Sequence, residues 1–315
     1  MATVTVGYNS GGSALDYTTR AAAYAAASEN DTLEFHYSDQ YANPIWRDTG
    51  IAITAKVVSF SGGLTGRRTI FYTTGNTFLL MDGDPGATAG ACTLKNLNII
   101  VHSYGSASGQ VYWRPNTNLP GLNIDNCVIS GSSYGIRIMS AVEINLTNSI
   151  FIYTSYRDLV YCAGSGVTGN ITFCTFMFSN RSSLRLANNN IDVRNCLSFG
   201  SVDSAFYQAA GGSSSDYNAS DDGYAPGLNS RINERYPDIE FITENANDKY
   251  PLDWRIATTS SLVGQGVAVA GITTDIDGET RADPPAIGAS EGISFGSAGG
   301  GGLLGHLGMN GGFNA

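Results

Sequence analysis

Positive charge is scarce in this chain: 17 Lys and Arg stand against 27 Asp and Glu, and the net charge of −10 works against a polyphosphate partner. Nucleic acid is therefore not expected as a partner, and solubility with weak self-repulsion is the plain consequence of the charge. Charged residues of either sign make up only 14% of the chain, while Gly, Ser, Thr and Asn are abundant, which describes strands and polar turns rather than helices. Cysteine is sparse and odd in number. The five thiols, Cys92, Cys127, Cys162, Cys174 and Cys196, form no Cys-x-x-Cys pair and have no His at metal-ligand spacing. A disulfide framework is disfavoured in a chain long enough to build a core, so these read as buried free thiols acting as small hydrophobes, with no metal and no other cofactor expected.

Long apolar runs are missing too, so no membrane association is expected. The first residues, Met1-Ala-Thr-Val-Thr-Val6, have neither the basic start nor the apolar stretch of a secretory leader, which points to synthesis in a cytoplasm without export. Hairpin turns are few. Asp82-Gly83, Asp222-Gly223 and Asp277-Gly278 all fall outside residues 94–199, which counts against an antiparallel sandwich.

What is present is a repeat. Leu94-Lys-Asn96-Leu97, Ile124-Asp-Asn126-Cys-Val128, Leu146-Thr-Asn148-Ser-Ile150 and Val193-Arg-Asn195-Cys-Leu197 share one phrase: apolar, polar, Asn, small, apolar. A degenerate copy, Ile171-Thr-Phe-Cys174-Thr-Phe176, is aligned on Cys174, giving spacings of 30, 22, 26 and 21 residues. Repeats of this period mark a stacked-coil protein. The phrase does not alternate as one strand must, so it reads as a strand end, a tight turn and a new strand; Asn suits the turn because it tolerates left-handed backbone angles. Successive coils lie about 4.8 Å apart. The expected structural ladder is therefore Asn96, Asn126, Asn148 and Asn195 hydrogen-bonded up the stack, beside Cys127, Cys174 and Cys196. The predicted fold is all-β, a right-handed single-stranded parallel β-helix of about ten coils, with a short N-terminal capping helix and a Gly-rich C-terminal tail.

In chain order, residues 1–32 are expected to supply a strand and an Ala-rich helix from Arg20 to Ala27, capped by Asp16 to Thr19 and covering the open end of the solenoid. Residues 33–291 are the β-helix. Coils are expected at Ile51–Phe60, Arg68–Thr73 with Phe78–Met81, and Cys92–Val101; a loop excursion over Ser103–Pro120 holds a short strand at Val111–Trp113. A loop-rich stretch covers 208–250, with a strand at Ile239–Ile242, and closing coils are expected at Leu252–Ile256 and Ser261–Gly266. Residues 292–315 form the tail, whose Leu303, Leu304, Leu307, Met309 and Phe313 are expected to be pinned against a partner or against the chain's own barrel.

These pieces, with Asp16-Tyr-Thr-Thr19, Tyr217-Asn-Ala-Ser-Asp-Asp222 and Asp253-Trp-Arg-Ile256, are similar to those of right-handed parallel β-helix proteins of the pectate-lyase-like kind. The ending Asp275-Ile-Asp277-Gly-Glu-Thr-Arg281…Ala286-Ile-Gly288-Ala-Ser-Glu291 resembles a D-x-D-G…R…D-I-G-A-x-E ending seen among them, including β-helix proteins encoded by tailed phages. Ala286 stands where that ending has its second Asp. The resemblance implies a closing turn over the last coil.

Catalysis is not expected. The polygalacturonase-type phrases Asn-Thr-Asp, Gly-His-Gly and Arg-x-Lys do not occur, and the clustered Asp residues of pectate lyases are missing. Asp125, Arg137, Glu143, Arg157, Asp158, Asp192 and Arg194 are scattered over successive coils and read as a solvated ladder of mixed charge. Asp216, Asp221 and Asp222 lack the spacing of a Ca²⁺ loop and read as polar surface. Trp113, Tyr153, Tyr156 and Tyr161 are candidates to stack on sugar rings. The expected function is structural: a tailed-phage virion protein, a head decoration or cement protein, made in the host cytoplasm, bound to the major capsid protein or another virion protein, and trimeric. The alternative is a short tailspike that binds or cleaves host polysaccharide through the coils from Leu94 to Phe199.

Overall fold

The structure of the chain, a computed structural model, describes residues 2–7, 14–28, 30–36, 45–48, 51–53, 59–62, 69–73, 78–83, 90–101, 109–115, 120–131, 133–154, 157–186, 190–207, 214–235 and 255–292. The expected strand at Ile239–Ile242, the greater part of the closing coil at Leu252–Ile256 and the tail beyond Gly292 lie outside the described residues.

The chain winds as a parallel β-solenoid. From Thr32–Phe35 onward the laps contribute strands in turn to three parallel sheets, which hold eight, seven and eight strands among the described residues. The first sheet runs from Thr3–Val6 through Cys92–Lys95, Leu122–Asp125, Glu143–Thr147 and Thr168–Thr172 to Asn190–Arg194. The second includes Leu79–Gly83, Gly109–Pro115, Tyr134–Ile138, Val160–Cys162, Ser182–Arg185 and Ser204–Tyr207. The third includes Leu97–Val101, Val128–Ser130, Ile150–Thr154, Thr175–Ser179, Leu197–Phe199 and Ala219–Ser220. The expected short strand at Val111–Trp113 is thus a full rung of the second sheet. Eight rungs form among the described residues instead of about ten, a stack of about 34 Å at the spacing of neighbouring strands.

The repeat phrase is the corner between the first and third sheets. Asn96, Asn126, Asn148 and Asn195 all have φ between 47° and 54°, the left-handed region that Asn enters most readily among residues with a side chain. The degenerate copy is corrected by one position: Phe173, with φ of 53°, takes the corner, and Cys174 follows it as Cys127 and Cys196 follow their Asn residues.

Inside the corners the rungs stack identical kinds of side chain. Leu94, Ile124, Leu146, Ile171 and Val193 pair in register down the first sheet, and all are fully buried. Phe151 lies on Phe176 with ring centroids 5.1 Å apart and planes at 11°. Each such Leu, Ile or Phe contributes about 1.5–3 kcal/mol relative to an exposed one. Trp113 is wholly buried and its indole Nε1–H donates to the Pro120 carbonyl at 2.8 Å. All five cysteines are free and buried. The helix covers Arg20–Ala26 with Thr19 as its N-cap, its hydroxyl accepting from the Ala22 N–H at 3.3 Å, and Ala23 and Ala27 belong to the main core cluster.

Residues 255–292 do not add closing coils. Among the described residues no strand follows Ala219–Ser220; the segment instead straps the outer face of the third sheet. Ile256, Leu262, Ala286 and Ile287 cluster with Met177, Leu197 and Ala219, and Ile276 and Ala289 cluster with Val128 and Ile150. The cause is readable in the strands. Ile150-Phe-Ile152, Thr175-Phe-Met177 and Val128-Ile carry apolar residues on both faces, as sheets covered on both sides do. Without the strap an apolar stripe would face water.

Candidate functional site

The corner residues do two different jobs. Asn126 Nδ2 donates to Asn96 Oδ1 at 2.7 Å, one step of the expected ladder. Asn148 and Asn195 turn to the strap instead: their Nδ2 groups donate to the carbonyls of Thr274 at 2.9 Å and Val267 at 2.8 Å, and Asn195 Oδ1 accepts from the Val267 N–H at 2.9 Å. A longer amide ladder, which the repeat phrase does not reveal, sits three residues ahead of the corners at Asn126, Asn148 and Phe173, on the outside of the first sheet. Asn170 donates to Asn145 at 3.2 Å and Asn145 to Asn123 at 3.1 Å. Cys127, Cys174 and Cys196 lie beside the corners on successive rungs, each Sγ within 3.2–3.5 Å of the carbonyl two residues back. Burial pushes the Cys174 thiol well above its ordinary value, which keeps it protonated and unreactive.

Arg281 fastens the strap. Its guanidinium lies 3.7 Å from the centre of the Phe173 ring, pairs with Glu291, and donates through Nη2 to Asn148 Oδ1 at 2.8 Å and to the Ala289 carbonyl at 3.1 Å. Both ion-pair partners are nearly sealed from water, with side chains 3% and 9% exposed. Asp275 shapes the turn before it, Oδ1 accepting from the N–H groups of Asp277 and Glu279 at 2.9 Å and Oδ2 from that of Glu291 at 2.9 Å. The Asp-Gly-Arg-Glu ending is thus a tight turn, as expected, but it seats on the side of the stack rather than over the last coil. Strap and corner together border a cleft of about 330 Å³ lined by Phe173, Val269, Ile272, Arg281 and Pro285.

The scattered charged candidates do not converge. Asp125 pairs with Lys95 at 3.0 Å, Glu143 accepts from Asn145 at 3.2 Å, and Asp192 accepts from the Ser214 N–H at 3.2 Å, all on the first sheet or beside it. Arg194 Nε donates to the Ser214 carbonyl at 2.6 Å. Asp216, Asp221 and Asp222 accept from the backbone N–H groups of Asn229, Gly200 and Ala205 at 2.7 Å each, so they hold turns. Among the described residues no group of three or more His, Cys, Asp or Glu side chains is placed to hold a metal. The tail residues Leu303, Leu304, Leu307, Met309 and Phe313, and Tyr156, lie outside the described residues.

Arg137 and Tyr161 do meet, with partners that were not singled out in the sequence. The registers of the second sheet set Tyr112 opposite Arg137, Arg137 opposite Tyr161, Tyr161 opposite Arg185 and Arg185 opposite Tyr207. Tyr112, Arg137, Tyr161 and Arg185 lie between buried apolar neighbours and Tyr207 follows the buried Phe206, so strand alternation puts all five on the outer face. Arg137 lies 5.6 Å from the Tyr112 ring centre and 5.2 Å from that of Tyr134; Arg185 lies 5.2 Å from Tyr161 and 5.3 Å from Tyr207. Tyr134 and Tyr161 stack at 5.4 Å and 14°.

Asp158 sits at the foot of this strip, fully buried. Its Oδ1 accepts from the Ser182 N–H at 3.1 Å, while Oδ2 has no hydrogen-bond partner. Burial raises its carboxyl above the ordinary value, opposed by the Ser182 N–H and the guanidinium groups of Arg181, Arg185 and Arg157. An acid whose folded value lies above its unfolded value loses stability as pH climbs through the interval between the two, and the loss persists above it. Asp158→Asn, which imitates the protonated form, should therefore stabilise the chain at neutral pH by about 1 kcal/mol. Urea unfolding at neutral pH and at about pH 3, below the ordinary carboxylate range, should show the gain only at neutral pH. Equal stability of the two proteins at neutral pH would contradict this account.

No protein-family model matches the chain, and no curated protein is similar enough to it to match.

Proposed function

We propose that the chain is a structural protein of a tailed-phage virion, a decoration or cement protein that rides on the head and holds the major capsid protein or a neighbouring virion protein through its C-terminal tail. The reading rests on one observation. The strap that leads into the tail is riveted to a rigid stack through the buried Arg281–Glu291 pair and the Asn148 and Asn195 corners. A tail leaving such an anchor passes load to the whole prism rather than unravelling its last turn. Leu303, Leu304, Leu307, Met309 and Phe313 are apolar residues set in Gly, suited to threading into grooves between subunits. A stiff prism with polar flanks adds bulk outside the shell, and association into trimers over threefold positions fits such an anchor.

The experiment is truncation after Gly292. The shortened chain should keep the far-UV circular dichroism and melting temperature of the full chain, yet be missing from purified heads of the phage that encodes it. Incorporation at the full-length level would overturn the reading, as would finding the full-length chain only free of particles.

A further inference from the structure

We propose that the free chain seats the apolar residues of its own tail on a ridge beside the strap, so that attachment through the tail is an exchange of one seat for another. The ridge is Ile152, Tyr153, Phe178 and Phe199, at the corner where the third sheet turns toward the second. Tyr153 is 49% exposed, and Ile152, Phe178 and Phe199 are half-buried against the cluster that the strap forms with Met177 and Leu197. The corner itself does not ask for aromatic residues. The registers place Gly131, Tyr153, Phe178 and Gly200 at one position of successive rungs, with φ of 100°, 57°, 57° and 72°. Glycine takes such angles without strain and an aromatic residue does not. Two strained aromatics between two glycines are more than the turn requires, and backbone outliers of this kind gather at binding sites. The Phe178 ring lies over Gly200, where an added Cβ would stand 2.7 Å from the ring Cδ1, and it meets Phe199 edge-on at 6.0 Å. An apolar surface about 10 Å long thus runs over three rungs along the border of the strap.

The occupant follows from where the strap ends. A Cβ on Gly292 would come 3.2 Å from Val263 Cγ2, and Val263 packs into the same cluster as Ile152, Phe178 and Phe199. The tail therefore sets off from the ridge itself. Leu303 is eleven residues beyond Gly292, across a Gly-rich segment. A flexible chain of that length spans about 18 Å, enough to lay Leu303, Leu304 and Leu307 on the ridge. So short a tether gives an effective concentration on the order of millimolar. A partner present at micromolar concentration must then bind the tail about a thousandfold more tightly than the ridge does before it takes the tail away. A single stray patch does not reach that ratio, whereas a lattice of subunits that engages several tail residues together does. The seat so keeps apolar residues out of unproductive contacts until assembly. That consequence rests on the attachment proposed above; the seat itself does not.

Limited chymotrypsin digestion of the free, full-length chain provides the test. Phe178→Gly removes the ring and relieves the backbone, and should speed cleavage within residues 303–313 at least tenfold while the far-UV circular dichroism is kept. Tyr153→Gly should act in the same direction. Leu228→Ser, at a fully exposed Leu on another turn, should leave the rate unchanged. A second measurement leaves the stack untouched: the triple variant Leu303→Ser/Leu304→Ser/Leu307→Ser should bind the apolar dye ANS at least threefold more than the natural chain. Equal cleavage of the natural chain and the folded ridge variants, or equal dye binding by the triple variant, would overturn the proposal. Protection that grows with protein concentration would also overturn it, since the ridge would then hold the tail of a second copy. No phage head enters these measurements, so protection without head binding counts against the attachment alone, and head binding without protection against the seat alone.

Discussion

Replacing Arg281 by Ala should release the strap while the stack beneath it stays folded. The substitution removes the cation from a pair whose two side chains are 3% and 9% exposed. It leaves Glu291 buried, with only the N–H groups of Ala282 and Ala286 at 3.2 Å to hold its charge. Breaking a buried pair from one side costs about 3–5 kcal/mol, because the survivor is left uncompensated. Asn148 Oδ1 loses its donor, and Phe173, held at a left-handed φ of 53° that costs a bulky residue about 1–2 kcal/mol, loses the cation on its ring. At about 1.4 kcal/mol per tenfold, exchange of the strap amides of Gly288 and Ala289 should accelerate at least a hundredfold, while amides of the first sheet keep their protection. The pair Arg281→Met with Glu291→Leu should recover much of the loss, since no buried charge remains. Unchanged exchange in Arg281→Ala would mean that the apolar contacts of Ile276 and Ile287 hold the strap without the ion pair.

The solenoid was legible because its corners have a chemical requirement. A left-handed residue is needed at each lap, and Asn96, Asn126, Asn148 and Asn195 supply it at nearly the same place in the phrase. The fifth corner was hidden because Phe173 fills it at a cost that a residue 108 positions later, Arg281, helps to offset. Local sequence cannot show such a debt or its remedy. The strap reads as closing coils in the sequence for a related reason: Ile256, Leu262 and Val263 are apolar residues to bury, and only the third sheet says where. Strands such as Ile150-Phe-Ile152, apolar on both faces, were the available sign that something lies over them. The Tyr–Arg strip was half visible. Arg137 and Tyr161 drew notice singly, but their alignment depends on laps of 25, 24, 24 and 22 residues from Tyr112 to Tyr207. Loops of unequal length obscure that register until the apolar neighbours of each residue are aligned first.

Replacing Gly169 by Ala should damage the stack itself, and more than any surface change. Gly169 pairs with Ile144 on one side and Ile191 on the other, on the last strand but one of the first sheet. Its φ is +126°, and a Cβ built on it would stand 1.8 Å from the Ile144 carbonyl oxygen, the backbone of the rung next to it. No rotation of a flexible side chain relieves that contact, so the strand must either move off its neighbour or change φ. Strain at such a backbone costs about 1–3 kcal/mol, and overpacking a filled site costs about as much again. The expected loss is about 3 kcal/mol or more, read as a lower urea midpoint with little change in slope. Because each rung touches only the rungs beside it, the damage should spread from Thr168–Thr172 to Glu143–Thr147 and Asn190–Arg194 before reaching the N-terminal coils. Gly223→Ala is the matched control: its added Cβ meets nothing within 4 Å, and the change should leave the midpoint in place or raise it slightly. If Gly169→Ala behaved like Gly223→Ala, the neighbouring rungs could not be spaced and registered as the Ile144–Gly169–Ile191 pairing requires, and the solenoid would need a different winding over its last three rungs.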